Sequence, residues 1–297
     1  YQARHDQHEP AMSPLAVQFA DFALWQHRVL GSPDDPGSVV GRQLTYWTEQ
    51  LAGLPDVMDL PTDRPRPAVA SQHGARWEFE IPADTAAQIG ALAQQSGATA
   101  FMVVHSALAV LLSRLTVSDD IGIGTPIAGR GQPVLDPLIG MFVNTLVLRT
   151  KIDADSSFAQ VLADAKAVDL DAFANADVPF ETVVEAVGAT RSASFAPLSQ
   201  VWLTLDRMTV PELAGANVAV GEVAGLRVSP MATDDAAARV DLLVSVVPAD
   251  GAWRGSITYA ADLFDETTVA SLARRLVRVF DSAVADPDAA VGDIALD

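Results

Sequence analysis

Apolar positions along the chain switch between a helical period of about 3.6 and a strand period of about 2, and the switches lay out the elements. Ser13-Pro14 reads as a helix start, with serine as cap and proline in the first turn. Leu15, Phe19, Phe22 and Leu30 form one stripe there, and Val17, Leu24 and Trp25 widen it past half the circumference, so this helix needs cover on several sides. Gly31–Gly37 is a surface loop. Val40–Leu51 is a second helix, apolar through Tyr46, Trp47 and Leu51 and stopped by Gly53. Leu54–Pro67 holds four prolines, three aspartates and two arginines, a stiff extended connector that marks the main organisational boundary.

Beyond the connector, Trp77–Ile81 alternates as a half-buried strand, and Ala83–Ser96 is a helix closed by Gly97. Thr99–Leu115 is the expected central helix: Phe101, Val104, Leu108, Leu111, Leu112 and Leu115 each contribute roughly 1.5–3 kcal/mol when fully buried. Asp120–Pro126 is a short strand and Ala128–Leu138 a loop rich in glycine and proline. Ile139–Arg149 is a near-continuous apolar strand, which predicts burial on both faces. Alternation sets Phe142, Asn144, Leu146 and Leu148 on one face, with Val143, Thr145, Val147 and Arg149 on the other. A carboxamide inside such a run finds partners or costs roughly 1–3 kcal/mol. Asn144 is therefore either an anchor between two loops or a polar group aimed into a cavity.

Phe158–Ala174 is helical, Asn175–Pro179 a turn, and a short helix runs on through Val187. Gln200–Leu205 and Val218–Val228 read as strands, and Asp241–Val247 and Ala252–Tyr259 flank an Asp250-Gly251 hairpin turn. A last helix covers Asp265–Val284. Interleaved helices and strands with an antiparallel hairpin predict an α/β chain of the two-layer α+β kind, a mixed sheet with covering helices.

Charge narrows the function. The 297 residues carry a formal net charge of −19, so most of the surface repels nucleic acid. Hydrophobic residues make up 49% and charged residues 19%, the balance of an ordered domain. Cysteine is absent, which removes disulfides, thiolate metal sites and a cysteine nucleophile, and fits a cytoplasmic protein. The longest apolar stretch, Ala98–Leu112, is broken by His105 and Ser106 and is too short for a membrane span. The N-terminus is polar, without a secretory leader, and begins without methionine, as an excised piece of a longer protein would.

Few residues suggest chemistry on their own. His5, His8 and Glu9 belong to a solvated tail rather than a metal site, and no metal is expected. His105, inside the apolar helix, reads as structural; use of it by a free-standing acetyltransferase needs it exposed in a cleft. Gly122-Ile123-Gly124 lacks the third glycine and lysine of a phosphate loop and reads as a strand-end turn. No Gly-x-Ser-x-Gly elbow occurs. Asp119-Asp120 and Asp234-Asp235 read as exposed loop charge. Asp177 is placed to cap the short helix that follows, with Pro179 in its first turn. Arg191, Ser194 and Pro197-Leu198 read as loop anchors.

Taken in order, these pieces resemble the condensation domain of nonribosomal peptide synthetases. Phe19-Ala20-Asp21-Phe22-Ala23-Leu24-Trp25 is similar to the family's tyrosine-x-aspartate-aromatic-alanine-x-tryptophan motif, with phenylalanine in the first place. Leu60–Pro67 resembles its connector, and Ile139–Arg149, through Gly140–Thr145, matches its glycine-x-phenylalanine-valine-asparagine-threonine motif in full. Asn175–Glu181 has Ala176 where glutamine is common. Arg191–Leu198 keeps Arg191, Ser194, Pro197 and Leu198 but lacks an aspartate and an asparagine, and Ile257–Asp265 also has the family's look.

One departure stands out. The family's catalytic motif is a double histidine, three intervening residues, then aspartate and glycine, lying upstream of the first motif found here. No two histidines are adjacent here, and the residues four places after each are Glu9, Met12, Gly31, Trp77 and Ala109.

The resemblance implies two lobes, each like chloramphenicol acetyltransferase, meeting in a V around a tunnel. This chain is then expected to hold a remnant of the N-terminal lobe and the connector in residues 1–66 and the C-terminal lobe in 67–297. The catalytic half is missing under that reading, so no catalytic residue is expected and the piece is inactive alone. Asn144 is the expected tunnel-lining residue; Asp21, Trp25, Arg149, Asp177 and Arg191 are structural, and Pro211–Thr233 is the segment reaching toward the other lobe. No cofactor is expected on the chain itself, the 4′-phosphopantetheine being carried by partner peptidyl carrier proteins. Other expected partners are the missing lobe and an adenylation domain, with neither nucleic acid nor membrane. Self-association through the exposed apolar helix is a further expectation. A docking module without chemistry and a piece of an epimerisation domain are the alternatives.

Overall fold

The computed structural model describes residues 2–11, 14–116, 118–205, 221–223, 226–228 and 236–296. Its elements in order are α1 (Gln2–His5), α2 (Phe19–Leu30), α3 (Val39–Gln50), β1 (His73–Ile81), α4 (Ala83–Gln95), α5 (Ala100–Thr116), β2 (Asp120–Ile127) and β3 (Asn144–Lys151). They continue with α6 (Phe158–Ala174), α7 (Phe180–Val187), β4 (Val201–Leu205), β5 (Gly221–Val223), β6 (Leu226–Val228), β7 (Ala236–Ala237), β8 (Leu242–Val247), β9 (Trp253–Ala260) and α8 (Glu266–Ala285).

One mixed sheet runs in the order β3-β2-β4-β8-β9-β1-β7, with β5 and β6 forming a separate hairpin. The β2–β4 and β4–β8 pairs are parallel, and β3–β2, β8–β9 and β9–β1 are antiparallel. Helices α4, α5, α6 and α8 pack as a layer on the sheet around α5, whose Val103, Val104, Ala107, Ala109 and Val110 are fully buried. The expected mixed sheet with covering helices, and α5 at its centre, are what the structure contains.

Three departures from the sequence reading bear on the site. Ser13 and the reach of Pro211–Thr233 lie largely outside the described residues, as do Asp234-Asp235, but Pro14–Gln18 are described and are not helical. Helix α2 starts after Gln18, where the Asp21 carboxylate accepts from the Gln18 amide at 2.8 Å in a capping box. The local cap overrides the apolar stripe that extends the reading back to Leu15. Second, Gly122 and Gly124 lie inside β2 rather than at a turn. A Cβ on Gly124 would meet the Trp202 indole at 2.4 Å, so the glycine makes room for a ring from the neighbouring strand. Third, Ile139–Val143 is not strand; regular pairing begins at Asn144.

The connector is fastened along its length. Asp63 accepts from the Asp265 amide at 2.7 Å and from Thr268 Oγ1 at 2.8 Å, capping α8 from another part of the chain, and these bonds hold its carboxyl below the usual aspartate range. Arg64 pairs with Asp265, and Arg66 makes a two-pronged ion pair with the buried Asp241. Ser194 Oγ donates to the Pro67 carbonyl, so the Arg191–Leu198 segment anchors the connector from the other side, Arg191 itself being exposed.

Candidate functional site

The asparagine run and the turn after α6 meet at a corner beside α3. Trp47 of α3 and Leu51 at its C-terminal cap are buried with Leu146–Leu148 of β3 and with Val178, Val183 and Val184, so α3 is part of this packing. From that anchored helix, the Trp47 indole Nε1 donates to the Asn175 carbonyl at 2.8 Å. Gln43, one turn earlier and buried, accepts at Oε1 from the amides of Asp177 (3.1 Å) and Val178 (3.2 Å) and donates from Nε2 to Asp177 Oδ2 at 2.9 Å. Two amide donors on one atom fix which way the carboxamide points.

Asn144 closes the corner from the strand. Its Nδ2 donates to the carbonyls of Ala176 (3.0 Å) and Val178 (2.7 Å), and its Oδ1 accepts from the amides of Thr145 (2.9 Å) and Phe180 (3.0 Å). All four hydrogen-bonding positions of the carboxamide are used, the anchoring geometry of the two that the sequence allows. The Phe180 amide is the first of α7, so Asn144 caps that helix across the fold. Asp177 does not: α7 has Pro179 as its N-cap without a side-chain cap bond, and the Asp177 carboxylate is taken by Gln43.

Arg149 at the far end of β3 makes a two-pronged pair with Asp120 (2.8 and 2.6 Å) and donates to the Gln50 and Ala52 carbonyls at the end of α3. The Asp120 hydrogen bonds raise the guanidinium above its usual range. Asp120 is thus a partly buried ion-pair partner, not exposed loop charge, because β2 and β3 place it directly against Arg149.

The segment before Asn144 is built differently. Phe142 is buried against Phe19 (5.1 Å between ring centroids) and Phe22 (4.9 Å), with the Arg130 guanidinium 4.1 Å over its ring. Arg130 also donates to the Leu135 and Leu138 carbonyls, both at 3.1 Å. A Cβ on Gly140 would strike the Phe19 ring at 2.1 Å, which explains the glycine of the motif. Around this small core, Ile139 is 94% exposed, Met141 78% and Val143 58%, and on α2 Leu24 is 67% and Trp25 48% exposed. Phe19 and Phe22 are therefore used within the chain, whereas Leu24 and Trp25 face outward. A groove of about 280 Å³ lies between Val17, Asp21, Phe22, Trp25, Val134 and Leu135.

His105 stands apart from this corner. It is wholly buried, as is Asp169 of α6, and its Nδ1 lies 2.9 Å from Asp169 Oδ1. The two groups are close without forming a directed hydrogen bond. Burial ends the acetyltransferase reading that needs this imidazole in a cleft. Tyr46, packed nearby, is pushed up to about 12 by burial and then by the Asp171 and Asp169 carboxylates.

The family model for the condensation domain matches residues 1–296. The chain belongs to the condensation domain family. It is 44% identical over 295 residues to the probable non-canonical nonribosomal peptide synthetase CymA of Salinispora arenicola, covering 97% of this chain and 4% of CymA. Over 99% of its length it superposes on the X-domain of teicoplanin biosynthesis in complex with OxyB, with a TM-score of 0.88 and 33% identity, and spans 64% of that domain's chain. The first condensation domain of the calcium-dependent antibiotic synthetase shares the fold, with a TM-score of 0.75 at 20% identity; 99% of this chain is covered and 60% of that one. The condensation-domain motifs named above hence stand in a chain of the same fold. Gln43 and Trp47, which hold one of those motifs, carried no signal in the sequence beyond an apolar helix face.

Proposed function

We propose that this chain is the second lobe of a nonribosomal peptide synthetase condensation domain, forming peptide bonds together with a first lobe. Residues 1–66 then carry the passage out of the first lobe, and 67–297 form the second, with α3 and the connector welded to it. In the reaction, the amine of one carrier-bound aminoacyl group attacks the thioester carbonyl of another. The C–N bond forms, the C–S bond breaks, and the amine proton ends on the departing pantetheine thiol. An α-amine with a reference pKa of about 7.7–8.0 is partly unprotonated near neutrality, so orientation and charge stabilisation supply much of the rate. Pantetheine arms on neighbouring carrier proteins deliver both groups as substrate, next to an adenylation domain that loads them.

The observation that carries this reading is a contrast within one chain: the asparagine and connector motifs are built in full, while the one core histidine among the described residues is sealed against Asp169. Asn144 serves the tunnel through the loop it fastens. The purified chain given two loaded carrier proteins is expected to make no dipeptide, and the same chain joined to a first lobe bearing the double histidine is expected to make it. Product from the chain alone above background overturns the proposal.

A second reading is favoured by the X-domain likeness, since that domain was solved bound to OxyB. The lobe then serves as a docking module without chemistry. Titrating a loaded carrier protein into the isolated chain tests it, and absence of saturable binding rejects it.

A further inference from the structure

Five of the six residues from Asn175 to Phe180 have a backbone group bound by a side chain from α3 or β3. A surface turn needs no such fastening, since water satisfies its backbone. Committing one buried and one half-buried carboxamide and an indole nitrogen to hold one is a cost that a fixed geometry repays. Of the three fasteners, Gln43 is the one that also grips a side chain: Nε2 donates to Asp177 Oδ2 while Oε1 receives the two amides behind it.

We propose that Gln43 is a positioning residue for amide formation, acting through the Asn175–Phe180 loop and resting on the function proposed above. It touches neither reacting group. By fixing Asp177 and Val178 against α3, it sets where the loop and the adjoining start of β3 stand relative to the bound aminoacyl groups. The opposing face of the site would be supplied by the first lobe.

The donor and acceptor pattern supplies a rescue test. Gln43→Glu keeps acceptors for the two backbone amides but loses the donor and sets a carboxylate against Asp177. Adding Asp177→Asn restores a donor, now from the loop side, with the polarity of the bond reversed. In the full synthetase chain with both carriers loaded, Gln43→Glu should lower kcat roughly 10- to 100-fold, the scale of a small misplacement, with the KM for each carrier within about twofold. Gln43→Glu with Asp177→Asn should recover most of that loss. Hydrogen exchange in α5 should be unchanged in both variants, showing an intact fold, while the Asp177 and Val178 amides speed up only in Gln43→Glu. An unaltered kcat, a loss confined to KM, or failure of the second substitution to restore turnover overturns the inference. A wild-type synthetase that forms no amide defeats the underlying function instead, a result distinct from any of these.

Discussion

Two irregular segments flank Asn144, and they are held in opposite ways. Asn175–Phe180 has its backbone polar groups bound by Gln43, Trp47 and Asn144, and its Val178 side chain is buried. Ile139–Val143 is pinned by one side chain, Phe142, between two aromatic rings and a guanidinium, and its other large side chains point outward. The first segment is complete inside this chain. The second spends its internal contacts on presenting an apolar surface, beside the equally exposed Leu24 and Trp25 of α2, of a kind that marks an interaction site.

Two tryptophans break the comparison most sharply. Trp47→Ala removes a buried ring and its bond to Asn175 and should cost about 3–5 kcal/mol in denaturant unfolding. Trp25→Ala should stay within about 0.5 kcal/mol, because half of its ring is already in water. Comparable losses at both positions would mean that the α2 edge is as closed as the corner.

The core pair gives a loss by another route. His105→Leu sets an apolar side chain against the wholly buried Asp169 carboxyl and should cost about 1–3 kcal/mol, most of it recovered by adding Asp169→Leu. Near-additive losses in that double-mutant cycle would show the two residues to be uncoupled.

Asn144→Ala should cost roughly 1–3 kcal/mol by leaving the Ala176 and Val178 carbonyls and the Phe180 amide short of partners. Ile139→Ser with Met141→Ser should leave the unfolding midpoint unchanged while reducing hydrophobic-dye binding and self-association seen by light scattering. A drop in midpoint for that pair would place those side chains in the packing.

The smallest effect is on the alkaline side. Tyr46 starts from an ordinary value of 10.0 and is raised to about 12 in the folded chain, so the folded state keeps its proton longer than the unfolded one. Its contribution to stability is therefore fully present below pH 10 and is lost as pH rises from there toward 12. Phenolate absorbance should show this delayed ionisation, and Tyr46→Phe should flatten the alkaline fall in stability. An ordinary phenolate titration of Tyr46 would put it in water.

Elements with a strong local period were readable from the sequence: α3 to α8, the β8–β9 hairpin and the apolar centre of α5 all stand within a residue or two of the pattern. What was not readable depended on partners far along the chain. The Asp177 carboxylate looked like a local cap because Gln43 is distant in sequence, and the role of capping α7 fell to Asn144. Gly124 looked like a turn because Trp202, the ring it makes room for, arrives only with β4. Likewise Asp63 caps α8 across the fold, which no window around either residue reveals. Two of the family-like motifs, Gly140–Thr145 and Asn175–Glu181, meet at the corner, but their sequence does not say which of their side chains fasten it.

Amide hydrogen exchange on the chain alone, and on the chain joined to a first lobe, compares the two segments directly. The account predicts slow exchange at Asp177, Val178 and Phe180 in both states, with the α2 amides fast in the chain alone and protected when the first lobe is present. Fast exchange throughout Asn175–Phe180, or α2 amides indifferent to the first lobe, would contradict it.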